Sequence, residues 1–187
     1  MRVKGAEAVL TRAGIIGMPA LVKERKAKKY RNAQLDVALR RRRTRTEARL
    51  LHRAKFAGVP CPTVLEAGEF SLTISRISGK RPPENEANCR KAGALLAKLH
   101  GADIAHGDYT PANLILSKGN ELYVIDFGLG YFSRDVEDKA IDVYTMLKSL
   151  RSELARGAFL RGYRFYEKHG PVMARLKDIE KRTRYAF

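Results

Sequence analysis

His106-Gly107-Asp108-Tyr109-Thr110-Pro111-Ala112-Asn113-Leu114-Ile115-Leu116, followed after a short gap by Leu122-Tyr123-Val124-Ile125-Asp126-Phe127-Gly128, decides how this chain folds. Asp108 and Asn113 stand five apart, with Pro111 bending the loop between them. The apolar runs Leu114–Leu116 and Leu122–Ile125, parted by Lys118-Gly119-Asn120, predict a β-hairpin. Asn113 and Asp126 would then meet at its open end. An amide oxygen and a carboxylate are hard donors that suit Mg²⁺ carrying phosphates. Asp108 is left to accept a proton or to orient a nucleophile. Each piece alone also reads as a tight turn with an Asx cap. Both pieces in this order, joined by two apolar runs, are far more specific.

The bulk properties agree with a cleft protein. The chain has 187 residues and is 44% hydrophobic, enough for one filled domain or two small lobes around a cleft. Only 59 residues follow Gly128. The net charge is +17 and the pI about 10.2, which predicts an anionic partner, nucleic acid first. An acidic protein surface or a membrane is a weaker fit. No apolar run approaches the roughly 20 residues of a bilayer span. Met1-Arg2-Val3-Lys4 leads into no long apolar segment, so no signal peptide is expected. A cytoplasmic protein follows, with Cys61 and Cys89 as reduced thiols.

Hydrophobic periodicity predicts an α+β chain. Residues 1–23 read as a small β unit around Val3, Val9-Leu10 and Ala20-Leu21-Val22. A helix is expected over 32–57 and stops at Gly58-Val59-Pro60. Two strands, Thr63–Glu66 and Phe70–Ile77, flank Gly68. Residues 80–85, with Pro82 and Pro83, read as a hinge. A second helix over 86–103 places Cys89, Leu96, Leu99 and His100 on one face. A third carries Ala140, Val143, Tyr144, Leu147 and Leu150, and a last helix Met173, Leu176 and Ile179. Residues 23–55 hold 14 Lys or Arg against 3 acids, including the run Arg40 to Arg43. Such a density suits phosphate-backbone binding as well as it suits a solvated face.

The pattern H-G-D-x-T-x-x-N followed by D-F-G resembles the catalytic and metal-binding loops of protein kinases. The resemblance implies a two-lobed protein-kinase-like fold. A small β-rich upper lobe would cover residues 1–79, and a reduced helical lower lobe residues 80–187. It makes Asp108 the catalytic base and Asn113 and Asp126 the metal ligands. Gly5, Ala6, Glu7, Ala8 and Val9 fall where a glycine-rich phosphate loop belongs, though with a single glycine. Lys23, at the end of an apolar strand, takes the place of the phosphate-binding lysine, with Lys26, Lys28 and Lys29 as nearby competitors. Its carboxylate partner on the helix is Glu47 or Asp36. Glu47 has the better setting, and an i,i+4 pair with Arg43 is its other reading. Backbone groups from Ser75 to Ile77 would hold adenine. Asp142 could accept backbone N–H bonds from the catalytic loop. Gly107 replaces the usual arginine and no A-P-E follows Gly128, so switching by activation-loop phosphorylation is not expected.

One family collects all of these motifs. Gly5-Ala6-Glu7-Ala8, Lys23-Glu24-Arg25, Lys29-Tyr30-Arg31, Arg45-Thr46-Glu47-Ala48, His106-Gly107-Asp108, Asp126-Phe127-Gly128-Leu129 and Glu137-Asp138-Lys139-Ala140-Ile141-Asp142 occur in order. The chain resembles the small atypical serine/threonine kinase of the KEOPS complex, the PRPK-type family of archaea and eukaryotes. That resemblance implies ATP and Mg²⁺ as cofactors, autophosphorylation, ATPase activity, and a part in making threonylcarbamoyladenosine in tRNA. The implied partners are the threonylcarbamoyl-transferase subunit, a small subunit docked on the upper lobe, and tRNA. Ser75-Arg76 departs from the family's acidic residue after the hinge strand, and Arg182-Thr183-Arg184 matches its basic tail only in part. A small-molecule phosphotransferase and an RNA-binding scaffold with residual ATPase are the competing readings.

Overall fold

The computed structural model describes residues 2–4, 8–15 and 17–184. Its N-terminal half is an antiparallel sheet of β1 (Arg2–Lys4), β2 (Val9–Ile15), β3 (Met18–Glu24), β4 (Val64–Ala67) and β5 (Ser71–Ser75), in the order β1-β2-β3-β5-β4. Gly17, at φ +74°, turns β2 into β3. The register sets Leu10 opposite Lys23, and Lys23 opposite Leu72. β4 lies one residue beyond the expected Thr63–Glu66, and β5 is shorter than the expected Phe70–Ile77, ending at Ser75, whose amide donates to Thr63 O and whose hydroxyl accepts from Thr63 N.

Between β3 and β4 runs the long basic helix α1 (Ala33–Phe56). Asn32 caps it, its Oδ1 accepting from Gln34 N at 3.0 Å and Leu35 N at 3.3 Å. Gly58, at φ +70°, follows the last turn and lets the chain reverse. Glu47, Leu50, Leu51 and Ala54 share the buried side at helical spacing. Leu50, Leu51 and Ala54 join the apolar core, and Glu47 brings a charge into the space beside it.

The C-terminal half is mostly helical. β6 (Gly79–Lys80) pairs with β8 (Leu114–Ser117), which pairs with β9 (Leu122–Val124). The expected boundary after residue 79 therefore falls inside β6, and Gly79 pairs with Ser117 of the C-terminal half. α2 (Glu86–Gly101) ends two residues before the expected 103, and β7 (Ile104–Ala105) pairs with β10 (Tyr131–Phe132). α3 (Val136–Ser149), α4 (Glu153–Tyr163) and α5 (His169–Arg184) complete the chain. Gly170 and Pro171 lie inside the first turn of α5 rather than before it, where a missing N–H costs nothing. Arg156 donates to Leu147 O and Leu150 O and so satisfies carbonyls at the end of α3.

α2 and α4 touch backbone to backbone. A Cβ at Gly93 would sit 2.0 Å from Phe159 O, and one at Gly162 would sit 2.0 Å from Arg90 O. This contact fixes the helix that leads into the catalytic loop. Gly93→Ala should destabilise the fold by about 2 kcal/mol or more, since neither backbone can retreat without opening the core. Gly101→Ala, on the same helix but facing open space, should leave stability within about 0.5 kcal/mol. Urea unfolding of the two variants checks the contrast.

Candidate active site

The sheet, α1 and the β8–β9 hairpin enclose a cleft of about 140 Å³. Its walls are apolar, from Leu10, Leu21, Leu51, Ile77, Ile115 and Ile125, and its polar end holds Lys23, Glu47, Asn113 and Asp126. Lys23 Nζ lies 2.6 Å from Glu47 Oε1 and 2.7 Å from Asp126 Oδ1. Glu47 Oε2 takes a second cation, Arg25 Nη2, at 2.6 Å. Lys23, not one of the lysines beyond the strand, is the residue delivered into the cleft. Glu47 pairs across the fold rather than with Arg43. Asp36, the other candidate acid, serves the N-terminal end of α1 instead, binding Arg40 at 2.6 Å and Lys28 N at 3.2 Å.

The catalytic loop is built from backbone contacts. Asp142 of α3 accepts from His106 N at 2.6 Å and Gly107 N at 2.9 Å. Gly107 sits at φ +77°, and a Cβ there would stand 2.5 Å from Leu129 O. A glycine is therefore required, and the loop lies flat on the segment that follows Asp126. Tyr109, fully buried, ties the loop to α2 by donating to Ala92 O at 2.8 Å. Asn113 Nδ2 donates to Asp108 O and Asp108 Oδ2, both at 2.8 Å. Its amide oxygen is then the group it can offer a cation. Ile125 N donates to Asn113 O at 2.9 Å, so the hairpin does join the two proposed ligands at its open end. Asp126 adopts φ +59°, held by Gly128 N donating to its Oδ1 at 3.2 Å.

Other expectations fare differently. Gly5, Ala6 and Glu7 lie outside the described residues. Ala8 and Val9 are buried, but it is Leu10, not Val9, whose side chain lines the cleft, because the two alternate across β2. Ser75 and Ile77 both line the cleft. The Ser75 amide donates to Thr63 O and its hydroxyl accepts from Thr63 N, both at 2.8 Å, so its carbonyl is what remains for a ligand. Arg25 was missed. It stands two residues beyond Lys23, and that alternation was the available signal. No cluster of three or more His, Cys, Asp or Glu occurs among the described residues.

No family model matches the chain. Curated relatives do. A probable bifunctional tRNA threonylcarbamoyladenosine biosynthesis protein of Methanosarcina mazei is 42% identical over 97% of this chain and 35% of its own length. A second protein so described, from Methanothermobacter thermautotrophicus, is 38% identical over 97% of this chain and 36% of its own. The chain thus spans about a third of these bifunctional relatives. The probable serine/threonine-protein kinase BUD32 homolog of Archaeoglobus fulgidus is 41% identical over 88% of both chains. This chain belongs to the BUD32 kinase family. The Rio2 kinase of Chaetomium thermophilum, solved as an ADP/Mg²⁺-phosphoaspartate complex, superposes with a TM-score of 0.68 at 13% identity, covering 98% of this chain and 70% of the other. The expected α+β protein-kinase-like fold is therefore correct.

The electrostatics of this BUD32-family site rest on neutral histidines and ionised acids. His106 Nε2 faces Ile125 O at 3.2 Å and must donate, which leaves Nδ1 to accept from Asp108 N at 3.4 Å. His100 Nε2 faces Asp142 Oδ2 at 3.2 Å and donates, so Nδ1 accepts from Tyr163 OH at 2.6 Å. Both rings have no solvent exposure, and burial holds both below the usual histidine pKa despite the pull of Asp142. Partial burial works to raise the Asp126 carboxyl, but Lys23 and Gly128 N outweigh it and hold it below the usual range. It is ionised at neutral pH. The sign of the pH effect follows. Depressed histidine pKa values contribute stability that is present above about pH 6.5 and is lost as pH falls through the folded values. Unfolding free energies from urea titrations should be flat from pH 8 to 7 and fall as pH drops below about 6.5, at up to about 1.4 kcal/mol per pH unit for each histidine. A free energy unchanged down to pH 5 would mean that the rings fold protonated.

Proposed function

We propose that this chain is a Mg-ATP-dependent serine/threonine kinase and ATPase that serves as a KEOPS subunit in forming threonylcarbamoyladenosine in tRNA. The observation that carries the reading is the convergence of Lys23, Glu47, Asn113 and Asp126 on one cleft, with Lys23 and Glu47 2.6 Å apart and Asp108 bound to Asn113 at 2.8 Å. Lys23 contacts the α- and β-phosphates, and Glu47 orients it. The Asn113 amide oxygen and Asp126 hold Mg²⁺, which when bound neutralises charge on the phosphates. The Ser75 carbonyl and Ile77 amide bind adenine, and Leu10 covers the ring with Ala8 toward the phosphates. Asp108, steadied by Asn113, accepts the proton of the attacking hydroxyl or water. A complete set of these groups disfavours a scaffold with a decayed site.

The bifunctional relatives support a threonylcarbamoyl-transferase partner, since this chain matches only part of each. A small subunit on the β-rich half and tRNA complete the assembly we propose, in a cytoplasmic setting. No helix among the described residues is long and apolar enough to cross a membrane.

The arginines of α1 favour tRNA, but not through the whole run from Arg40 to Arg43. Arg40 binds Asp36 and stacks on Phe70 at 4.0 Å, and Arg41 binds Glu69. Arg42, Arg45, Arg49 and Arg53 instead form an exposed stripe at helical spacing. The stripe runs into a groove of about 870 Å³ that includes His52, Phe132 and Arg134. Arg49 lies 5.5 Å from the Phe132 ring, so phosphate and base-stacking partners stand side by side.

Two outcomes test these assignments. Asp108→Ala should abolish autophosphorylation and ATP hydrolysis while Mg-ADP binding stays near wild type. Asp126→Ala should lose the Mg²⁺-dependent part of binding as well. Full phosphotransfer by folded Asp108→Ala protein removes it from the mechanism. For tRNA, replacing Arg42, Arg45, Arg49 and Arg53 with serine should lower the slope of log affinity against log salt by about 3. Replacing Arg40 and Arg41 should change that slope by less than about 1, and equal slopes in both variants would place the RNA elsewhere.

A further inference from the structure

Glu47 is clasped by two cations, and the proposed function uses only Lys23. Arg25 is 4% exposed and Glu47 3%, so this second ion pair is removed from water. β3 ends at Glu24, yet Arg25 N still donates to Phe70 O of the neighbouring chain segment at 2.9 Å. The ladder is thereby extended by one residue, and Arg25 keeps the strand's alternation. Its side chain emerges on the same side as Lys23. A Cβ at Gly128 would meet Asp126 Oδ1 at 3.0 Å, Lys23 Nζ at 3.1 Å and Arg25 Nη2 at 3.6 Å. Both cations and the metal-loop carboxylate therefore crowd around one glycine.

We propose that Arg25 is a positioning residue for the phosphotransfer site, acting through Glu47. The proposal rests on the nucleotide role assigned to Lys23. Lys23 has three claimants: Glu47, Asp126 and, in the working enzyme, phosphate. One ammonium cannot fully compensate a buried carboxylate and also turn to a ligand. Arg25 resolves the conflict by taking Glu47 Oε2, while Lys23 takes Oε1. Lys23, Arg25, Glu47 and Asp126 carry two positive and two negative charges. Removing Arg25 leaves two carboxylates on one lysine. Glu47, desolvated and half-compensated, then draws Lys23 to itself and away from phosphate. The same clasp ties Glu47, and with it the middle of α1, to β3 independently of what Lys23 binds.

The effect therefore falls on nucleotide affinity more than on turnover. Arg25→Gln should raise KM for Mg-ATP about tenfold while kcat stays within about threefold. Arg25→Lys, which restores one positive charge to Oε2 without the guanidinium's fork, should raise it about threefold. The decisive arm is the double mutant. In a Glu47→Gln background, Arg25→Gln should shift KM by less than about twofold, because the conflict over Lys23 has been removed. A merely structural arginine would lower the melting temperature in both backgrounds and leave KM alone. Should Arg25→Gln not fold, the cycle is run with Arg25→Lys, whose threefold shift must likewise vanish beside Glu47→Gln. A wild-type KM in the Arg25 variants, or a shift that persists in the Glu47→Gln background, overturns the positioning role. Wild-type protein that neither binds nor turns over Mg-ATP fails earlier, and sinks the nucleotide reading on which this one rests.

Discussion

A single buried carboxylate ties the two halves of the site together. Glu47 cannot be left uncompensated in an apolar setting, where an unpaired charge costs several kcal/mol. Its partners come from β3, so α1 must lie against the sheet with this one turn facing inward. Lys23, bound to Glu47, also reaches Asp126, 103 residues further along the chain than itself, and carries the constraint into the Asp126–Gly128 loop. Leu50 and Leu51, one turn on, fill the core on the same side. Packing supplies most of the energy and the ion pairs supply the register. A slip of α1 by one residue would put Thr46 or Ala48 where Glu47 stands and leave both cations without their carboxylate.

The second anchor is Asp142. It reaches from α3 to two successive N–H groups of the catalytic loop and to His100 of α2. The loop cannot satisfy those amides itself, because Gly107 lies at positive φ and its neighbours bend away from any ladder. Neutral His100 and His106 then complete the chain of donors without adding charge beneath Asp108. The hairpin connects the two anchors, since Asn113 at one end steadies Asp108 and Asp126 at the other meets Lys23. The distance from Asp108 to Lys23 is thus fixed by short-range contacts.

Much of this was legible in residue order. The catalytic stretch announced its own hairpin, because turn residues between two apolar runs leave few other structures open. Glu47 followed from scarcity, as one of two acids between Arg25 and Leu65. Its true surroundings were not legible. Arg25 sits among so many cations that nothing in composition separates a buried arginine from a solvated one. Only the extra ladder bond from Arg25 N to Phe70 O shows that the strand's alternation continues past Glu24. The expected phosphate loop ends at Val9, one residue short of Leu10, for a related reason. Without a register, two adjacent apolar residues are equivalent, and the pairing of Leu10 with Lys23 decides which faces the cleft. The hinge was placed by Pro82 and Pro83, while the pairing of Gly79 with Ser117 depends on a contact no local pattern encodes.

The charge of +17 divides on the same grounds. Arg25, Arg40 and Arg156 face carboxylates or carbonyls of the protein itself, and their loss would be felt in the fold. Arg42, Arg45, Arg49 and Arg53 stand outward on a helix whose opposite side is pinned by Glu47. A stripe of like charge on one helix face is unfavourable in isolation and destabilises α1 slightly. The helix bears it because its inner side is held by core packing and by two ion pairs. The clasp on Glu47 thus does more than align a lysine: it lets the same helix carry a repulsive outer face without unwinding. The Lys23–Glu47 pair and the basic stripe are two sides of one element, and it is the inner side that fixes the helix for both.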